Sequence, residues 1–366
     1  MAVGSRPEAR ELAALVNVAD VERRAAELLD PGVLGYFAGG AGDERTLRAN
    51  VAAYARHHLL PRVLVDVSDV TTRTTVLNRE VASPILVAPT ALHRLAHPDG
   101  EPGTARAAAA AGTVYVLSTL ATARPAECAI ADAPRWLQLY VLKDRGVSRA
   151  LVDEAVEHGF EAIVLTVDAP RAGRRERDVR TGFAVPPDVD MPGIRAALGT
   201  NRCPTPQEFF GLVDLTLTWR DLERLVDESP VPVIVKGVHA PDDARRAVEH
   251  GAAAVIVSNH GGRQLDTLPA TLDLLPAVAE ELSGEPAEVY VDGGIRRGTD
   301  VAVALARGAR AVLVGRPILW GLACGGEAGV RRVLALLEDE LRLALTLLGA
   351  PSPADVRPHH VLSPAG

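Results

Sequence analysis

The sequence predicts an α/β protein folded as a (β/α)8 TIM barrel, with an N-terminal helical and hairpin extension and a long loop after the fourth strand. Three observations carry this. From about residue 84, short apolar runs alternate with amphipathic stretches of helix length, the pattern of repeated βα units. There are eight such runs, the number that closes a barrel. Nearly every run ends in a polar residue, and barrel enzymes carry their chemistry at that end of their strands. An open doubly wound sheet would use the same units and is the alternative.

The strand candidates are Pro84–Ala88, Val114–Ser118, Trp136–Tyr140, Ala162–Val167, Val231–Lys236, Ala253–Ser258, Val289–Asp292 and Ala311–Gly315. Helix-like segments lie between them, among them Glu101–Ala111, Val147–His158, Pro241–His250 and Thr299–Arg307. Gly112, Gly159, Gly251 and Gly308 follow these segments at the helix-stop position. Residues 1–80 form the extension, helical over Val21–Leu29, with Val63–Val67 and Thr74–Leu77 as a hairpin that plugs the barrel's lower end. Residues 81–350 make the barrel, 169–217 an irregular active-site loop rich in Pro, Gly and Arg, and 351–366 a tail. All of 1–366 reads as one domain.

Composition narrows the functional class. Of 366 residues, 48% are apolar and 23% charged, as in an ordinary water-soluble domain. The net charge of −8 argues against non-specific nucleic-acid binding. Cys128, Cys203 and Cys324 are scattered, without a C-x-x-C, so neither a disulfide framework nor a zinc site is expected, which fits a reducing cytoplasm. The first residues mix Arg6, Glu8, Arg10 and Glu11 and do not read as a signal peptide. No apolar run reaches membrane-spanning length.

The most informative stretch is Ser258-Asn259-His260-Gly261-Gly262-Arg263-Gln264-Leu265-Asp266, at the end of the sixth strand. A histidine accepts a proton near neutral pH. An arginine three residues on can fork onto a carboxylate. The pair suggests a substrate with an acid group beside an ionisable or oxidisable carbon. The other strand ends bring Pro89-Thr90, Ser118-Thr119, Gln138 with Tyr140, Thr166 with Asp168, Lys236, Asp292-Gly293-Gly294 and Gly315-Arg316. Any one Ser or Thr there could simply cap the next helix, but eight polar ends in series are hard to explain so. Asp292-Gly293-Gly294-Ile295-Arg296 and Val314-Gly315-Arg316-Pro317 follow strands seven and eight, the customary phosphate site of this architecture. Bare glycine backbone lets N–H groups approach phosphate oxygens, and the arginines add charge. Two glycine turns with surface arginines is the bland reading; a phosphorylated cofactor explains both motifs together. Lys236 at the end of a buried strand calls for an anionic partner. His93 and His97 have i, i+4 spacing, but no carboxylate or cysteine set completes a metal site, and none is expected. The pair His359-His360 reads as solvated.

These residues, with Tyr36, Ala38-Gly39-Gly40, Ala88-Pro89-Thr90-Ala91, Leu165-Thr166-Val167-Asp168, Gly173-Arg174-Arg175 and Val235-Lys236-Gly237, resemble the FMN-dependent α-hydroxy-acid oxidases and dehydrogenases, a family that includes glycolate, lactate and mandelate oxidising enzymes. The resemblance runs from about Val33 to the C-terminal helix. It implies FMN as cofactor, a small 2-hydroxy acid as substrate and a homotetramer or larger assembly. His260 would be the base, taking either the hydroxyl proton as hydride leaves or the α-proton, with Asp168 as its partner. Arg263 and Arg175 would clamp the substrate carboxylate, and Tyr36 and Tyr140 would bond the carboxylate and hydroxyl. Lys236 would stabilise the anionic reduced ring. Ala88, Pro89 and Thr90 would lie beside the ring, Ser118, Gln138 and Thr166 along its polar edge, and Ser258 would also belong to the cofactor-binding set. Asp292, Gly293, Gly294, Arg296, Gly315 and Arg316 would hold the ribityl chain and phosphate.

Leu120 and Ala172 stand where glycolate oxidases carry tryptophan and leucine, so the resemblance implies a side-chain pocket larger than theirs. The short polar 169–217 segment argues against membrane docking, and no cytochrome-like extension precedes the barrel. Both lean toward an oxidase that uses O2 and yields hydrogen peroxide. The alternatives are the same half-reaction with a quinone or protein acceptor, or a non-redox barrel isomerase or lyase acting on a phosphorylated substrate.

Overall fold

Eight parallel strands close into a barrel in the computed structural model, which describes residues 9–362. In chain order they are β1 (Ile85–Val87), β2 (Tyr115–Leu117), β3 (Arg135–Leu139), β4 (Ala162–Thr166), β5 (Val233–Val238), β6 (Ala254–Val257), β7 (Glu288–Asp292) and β8 (Ala311–Val314). Each pairs with the next, and β8 returns to β1. All eight coincide with the predicted runs, with ends that differ by at most two residues, some shorter and some longer. The closed ring excludes the open sheet. The stretch with Arg6 and Glu8 and the last four residues of the tail lie outside the described residues.

Alternation along the strands builds two cores. Leu86, Val116, Trp136, Val164, Ile234, Ile256, Tyr290 and Leu313 fill the barrel interior. Their neighbours Ile85, Leu117, Leu137, Ile163, Val235, Val255, Val291 and Val312 face the helices. This is the two-residue period of a strand covered on both faces. Each buried aliphatic side chain contributes about 1.5–3 kcal/mol of transfer free energy. The helices between the strands, such as Gly100–Ala110, Arg145–Glu157, Pro241–Glu249 and Gly298–Ala306, lie within one or two residues of their predicted ranges. The four predicted stop glycines all take positive φ.

The barrel's lower end is plugged by a hairpin, but not by the expected one. Thr74–Val76 pairs with Arg79–Val81 around Leu77 and Asn78, both at positive φ. Val76 and Val81 insert into the interior core beneath Trp136 and Tyr290. Glu288 accepts hydrogen bonds from the Leu77 amide and the Tyr290 hydroxyl, fastening plug to barrel. Val63–Val67 is not a strand: Leu64 is fully exposed at φ 60, because its apolar residues meet no core.

Two further expectations need correction. Residues 169–217 are not irregular but hold three short helices, Glu176–Thr181, Pro192–Ala197 and Pro206–Leu212. Two of them begin on a proline at the first helical position, where its missing N–H is harmless. In the tail, His360 is buried at 3% exposure and its Nδ1 accepts from the Arg357 amide. The adjoining Val361–Leu362 pairs antiparallel with His58–Leu59 and ties the tail to the extension.

The last helix, Arg316–Leu348, is broken at Gly325–Gly326, and its two parts press together where Gly321 meets Gly329. A Cβ on Gly329 would overlap the Gly321 carbonyl. Gly329→Ala is therefore expected to lower stability by about 1–3 kcal/mol through overpacking. It should read out as a lower urea midpoint at unchanged slope; an unshifted midpoint would mean that the two parts can separate freely.

Candidate active site

The C-terminal ends of the strands surround a cleft with about 1100 Å³ of open space, part of it continuous with solvent. The chain reaches it in sequence order. The loop after β1 brings Ala88, Pro89 and Thr90; β2 and β3 end on Ser118, Leu120, Gln138 and Tyr140; β4 ends on Thr166 and β5 supplies Lys236. The turn after β6 carries His260 and Arg263. The glycine turns after β7 and β8 bring Asp292, Gly293, Gly294, Arg296, Gly315 and Arg316. Tyr36 and Arg175 close the side formed by the extension and the 169–217 segment.

His260 is held by a turn that no regular element supplies. Its φ is 57, and Gly261 and Gly262 follow at 63 and 73, three left-handed residues in succession. Glycine takes this region freely, whereas histidine there is uncommon and marks a constrained position. Two buried asparagines pin the turn. Asn50 and Asn259 exchange side-chain amide hydrogen bonds, each 2.8 Å, and Asn259 also accepts from the Gly262 amide. Asn50 comes from the extension helix Arg45–Ala55, a partner that no local sequence signal announces.

The orientation of His260 follows from its hydrogen bonds. Nδ1 lies 2.9 Å from Asp168 Oδ1. Burial alone would raise the Asp168 carboxyl, but the His260 ring and Lys236 outweigh it and hold it below the usual range. Asp168 is therefore an anion that only accepts, so Nδ1 carries the proton and Nε2 presents a lone pair. Tyr140 Oη is 3.5 Å from that Nε2. Burial lowers the proton affinity of His260 below its ordinary 6.5, against the upward pull of Asp168. The ring is thus a neutral base at neutral pH.

Lys236 has an anionic partner within the protein. Its ammonium is 3.2 Å from Asp292 Oδ2 and donates to Ser258 Oγ at 2.8 Å, and Ser258 donates to the same Asp292 oxygen at 2.9 Å. Burial would lower the Lys236 ammonium, but Asp292 and Asp168 hold it above the ordinary value. Ser258 is fully buried outside the cleft lining, where it accepts from Lys236 and donates to Asp292. Asp292 Oδ1 is buried with no partner.

Arg263 and Arg175 both lie over the ring of Tyr36, at 5.2 and 5.8 Å from its centroid. Burial and the neighbouring Arg175 push Arg263 down to about 10. Arg316 is held well below its ordinary value, by burial and by Arg263 and Arg296. Arg316 and Arg263 share the carbonyls of Phe37 and Gly39 as acceptors. Cations crowded out of water in this way call for an anion.

The substrate-side wall differs from the sequence reading at one residue. Leu120 lines the cleft, but Ala172 is exposed and not among its lining residues. Pro206 and Phe210, from the third short helix of the 169–217 segment, line it instead. Phe210 packs edge-on against Tyr140 with ring centroids 5.6 Å apart. Neither residue belongs to a motif, which is why the sequence did not point to them. His93 lies apart from any metal-like set: Thr90 and Thr104 hold its ring. Among the described residues no His, Cys, Asp or Glu cluster is placed to hold a metal.

A carboxylate-backed base beside paired guanidiniums, on a barrel whose last two turns are built for phosphate, defines an oxidoreductase class that combines an acidic substrate with a phosphorylated cofactor. The chain belongs to the FMN-dependent dehydrogenase family, which it matches over residues 25–363. It is 47% identical over 352 residues to the L-lactate oxidase of Nostoc sp., covering 93% of this chain and 96% of that protein. It is 44% identical to the human 2-hydroxyacid oxidase 1, covering 92% and 93%. A solved mandelate oxidase with benzoyl-formic acid superposes with a TM-score of 0.87 at 43% identity, over 96% of this chain and 99% of that one.

The residues present fit FMN. Gly293 and Gly294 at φ 99 and 87 bare their amides between Arg296 and Arg316, a charged cradle for a phosphate. The unpartnered Asp292 Oδ1 is an acceptor for a polyol hydroxyl. Ser118, Gln138 and Thr166 are joined to one another by hydrogen bonds and line the cleft with donors and acceptors.

The electrostatics of the pair set a pH test. Since burial keeps His260 below 6.5, the acid limb of kcat/KM should fall below pH 6.5. Asp168→Asn removes the group that pulls His260 upward, so the limb should move to still lower pH. The rate should fall by about 10²–10⁴, because the imidazolium formed in turnover loses its counter-charge. A limb that moves upward, or an unchanged rate, would refute the assignment.

Proposed function

We propose that the chain oxidises an (S)-2-hydroxy acid to the 2-oxo acid and passes the two electrons to O2, releasing hydrogen peroxide. FMN, when bound, supplies the two-electron acceptor. The observation that carries the reading is the position of His260 Nε2, a lone pair beside Tyr140 and next to two arginines stacked on Tyr36. Arg263 and Arg175 hold the substrate carboxylate, which fixes the carbon that bears the hydroxyl relative to the base. Tyr36 and Tyr140 orient the carboxylate and hydroxyl. His260 takes up one proton per turnover at Nε2, and Asp168 stabilises the charge that results. Lys236 holds positive charge at the cleft wall, where it favours an anionic ring.

The wall of Leu120, Pro206, Phe210 and Tyr140 is apolar and largely aromatic, which supports a longer aliphatic or an aromatic side chain over that of glycolate. Names among the relatives support both choices, lactate and mandelate. Pocket contacts of this kind are worth about 1–3 kcal/mol of discrimination. Residues 1–366 act in this reading as one catalytic domain, in the cytoplasm. Among the described residues no helix is long and apolar enough to cross a membrane, and the three cysteines are free.

Self-association into a homotetramer or larger assembly is part of the proposal. Val63, Leu64, Leu343 and Leu347 are exposed. The segment around Val63 lies on the end of the last helix, where the Arg62 amide bonds the Leu348 carbonyl. Leu64→Glu is expected to yield a smaller species by light scattering; a parent protein that is monomeric would sink this part.

The test of the activity is anaerobic bleaching of the flavin by glycolate, (S)-lactate, (S)-mandelate and (S)-4-hydroxymandelate, followed by air. Bleaching by the larger acids and recovery with one peroxide per substrate is the expected result. A preference for glycolate would exclude the large pocket, and no recovery in air would favour another acceptor. His260→Ala should retain FMN yet bleach at least about a hundredfold more slowly.

A further inference from the structure

Asp168 has two oxygens, and the reaction described above uses one. Oδ1 accepts from His260, whereas Oδ2 is buried and has no partner. A carboxylate side chain only 4% exposed rarely leaves an oxygen unbonded. A second orphan lies nearby. His239, at the end of β5, has its Nε2 buried and equally without a partner, and the His239 ring and Asp168 act on each other electrostatically.

The backbone explains why these two groups are neighbours. Between Lys236 and Val238 the β5–β6 register shifts at a bulge, and Gly237 sits there at φ 109. A Cβ at Gly237 would lie 2.6 Å from Asp168 Cβ and 2.7 Å from Cγ. Only bare backbone lets the end of β5 come so close to the carboxylate. The bulge also re-aims the residues after it, so that Lys236 reaches the cleft while His239, two residues past the glycine, stays beside Asp168 outside the cleft lining.

We infer that His239 is a positioning residue for the catalytic base and acts through the second oxygen of Asp168. Its Nε2–H serves Oδ2 through one bridging water, which satisfies both orphans. The inference rests on the reading of His260 as the base. Its effect has a definite sign. A neutral donor on Oδ2 draws charge from the carboxylate, weakens the pull of Asp168 on the His260 proton, and so keeps the base less basic. Burial lowers the proton affinity of His239 itself, against Asp168 and Asp292, which keeps it the neutral donor near pH 7. The other charged groups facing His239 are Lys236 on its own strand, Asp292 on β7 and Asp243 in the following helix. Those facing His260 are Asp168, Lys236 and Arg175.

The test uses the FMN-loaded enzyme with ¹³C-labelled histidine, the His260 ring signal being assigned by its loss in His260→Asn. His239→Leu removes the donor and should raise the His260 titration midpoint by about half a unit. His239→Gln keeps an amide donor and should leave it in place. His239→Lys puts a charge beside Asp168 and should lower it. A purely structural role for His239 would not move the midpoint in opposite directions in the Leu and Lys variants. The inference is overturned if both leave the midpoint at the parent value or move it the same way. The acid limb of kcat/KM, measured on the best acid of the panel, separates the two claims. If the ring titration moves and the limb does not, His260 is not the base, yet the link from His239 to Asp168 stands.

Discussion

At the upper end of the barrel the hydrogen bond of 2.9 Å from His260 Nδ1 to Asp168 Oδ1 couples the turn after β6 to the end of β4, and the Gln264 side chain adds bonds to Arg171 and Gly173 in the loop beyond. Much of the surrounding structure exists to make that contact possible and to give it one direction. The left-handed turn aims the ring, the Asn50–Asn259 amide pair holds the turn, and Gly237 clears space for the carboxylate. Because Asp168 is kept ionised, the ring has one tautomer, and the lone pair can only face the cleft. Catalytic direction here is thus a matter of proton placement fixed by burial and by hydrogen-bond valence.

Around that bond the protein concentrates cations. Lys236 is balanced inside the fold by Asp292, whereas Arg263 and Arg316 are half-buried with backbone carbonyls as their acceptors. The difference divides the roles. A lysine already paired is a fixed field at the cleft wall. Arginines with depressed proton affinity are incomplete until an anion arrives, so anion binding relieves a cost carried by the free protein. The proposed reading supplies two anions of different kinds, a phosphate beside Arg296 and Arg316 and a carboxylate beside Arg175 and Arg263.

The barrel was legible in the sequence because its strands are covered on both faces and read as continuous apolar runs bounded by helix-stop glycines. The motif residues at the strand ends were legible for a related reason: polar groups at the ends of buried strands need partners. The gaps have physical causes as well. Val63–Val67 has strand composition but leaves its valines and Leu64 largely outside the core, while its replacement, Arg79–Val81, shows charges on its exposed side and hides a single inward valine. The helices of the 169–217 segment are short, and two of the three begin on prolines that resemble turn signals. Motif position does not reveal that Ser258 lies beneath Lys236 and Asp292, or that Ala172 is exposed. Asn50 meets Asn259 across 209 residues, a contact without local trace, and Phe210 reaches the cleft from a segment whose path the sequence does not dictate.

The hairpin beneath the barrel has a kinetic meaning. With Val76 and Val81 sealed into the interior core, the lower end offers no passage, and every molecule that enters or leaves uses the upper opening. Substrate, product, oxidant and cofactor share one doorway. Whatever sits deepest must arrive first and depart last, so traffic through the site is a queue whose order the plug enforces.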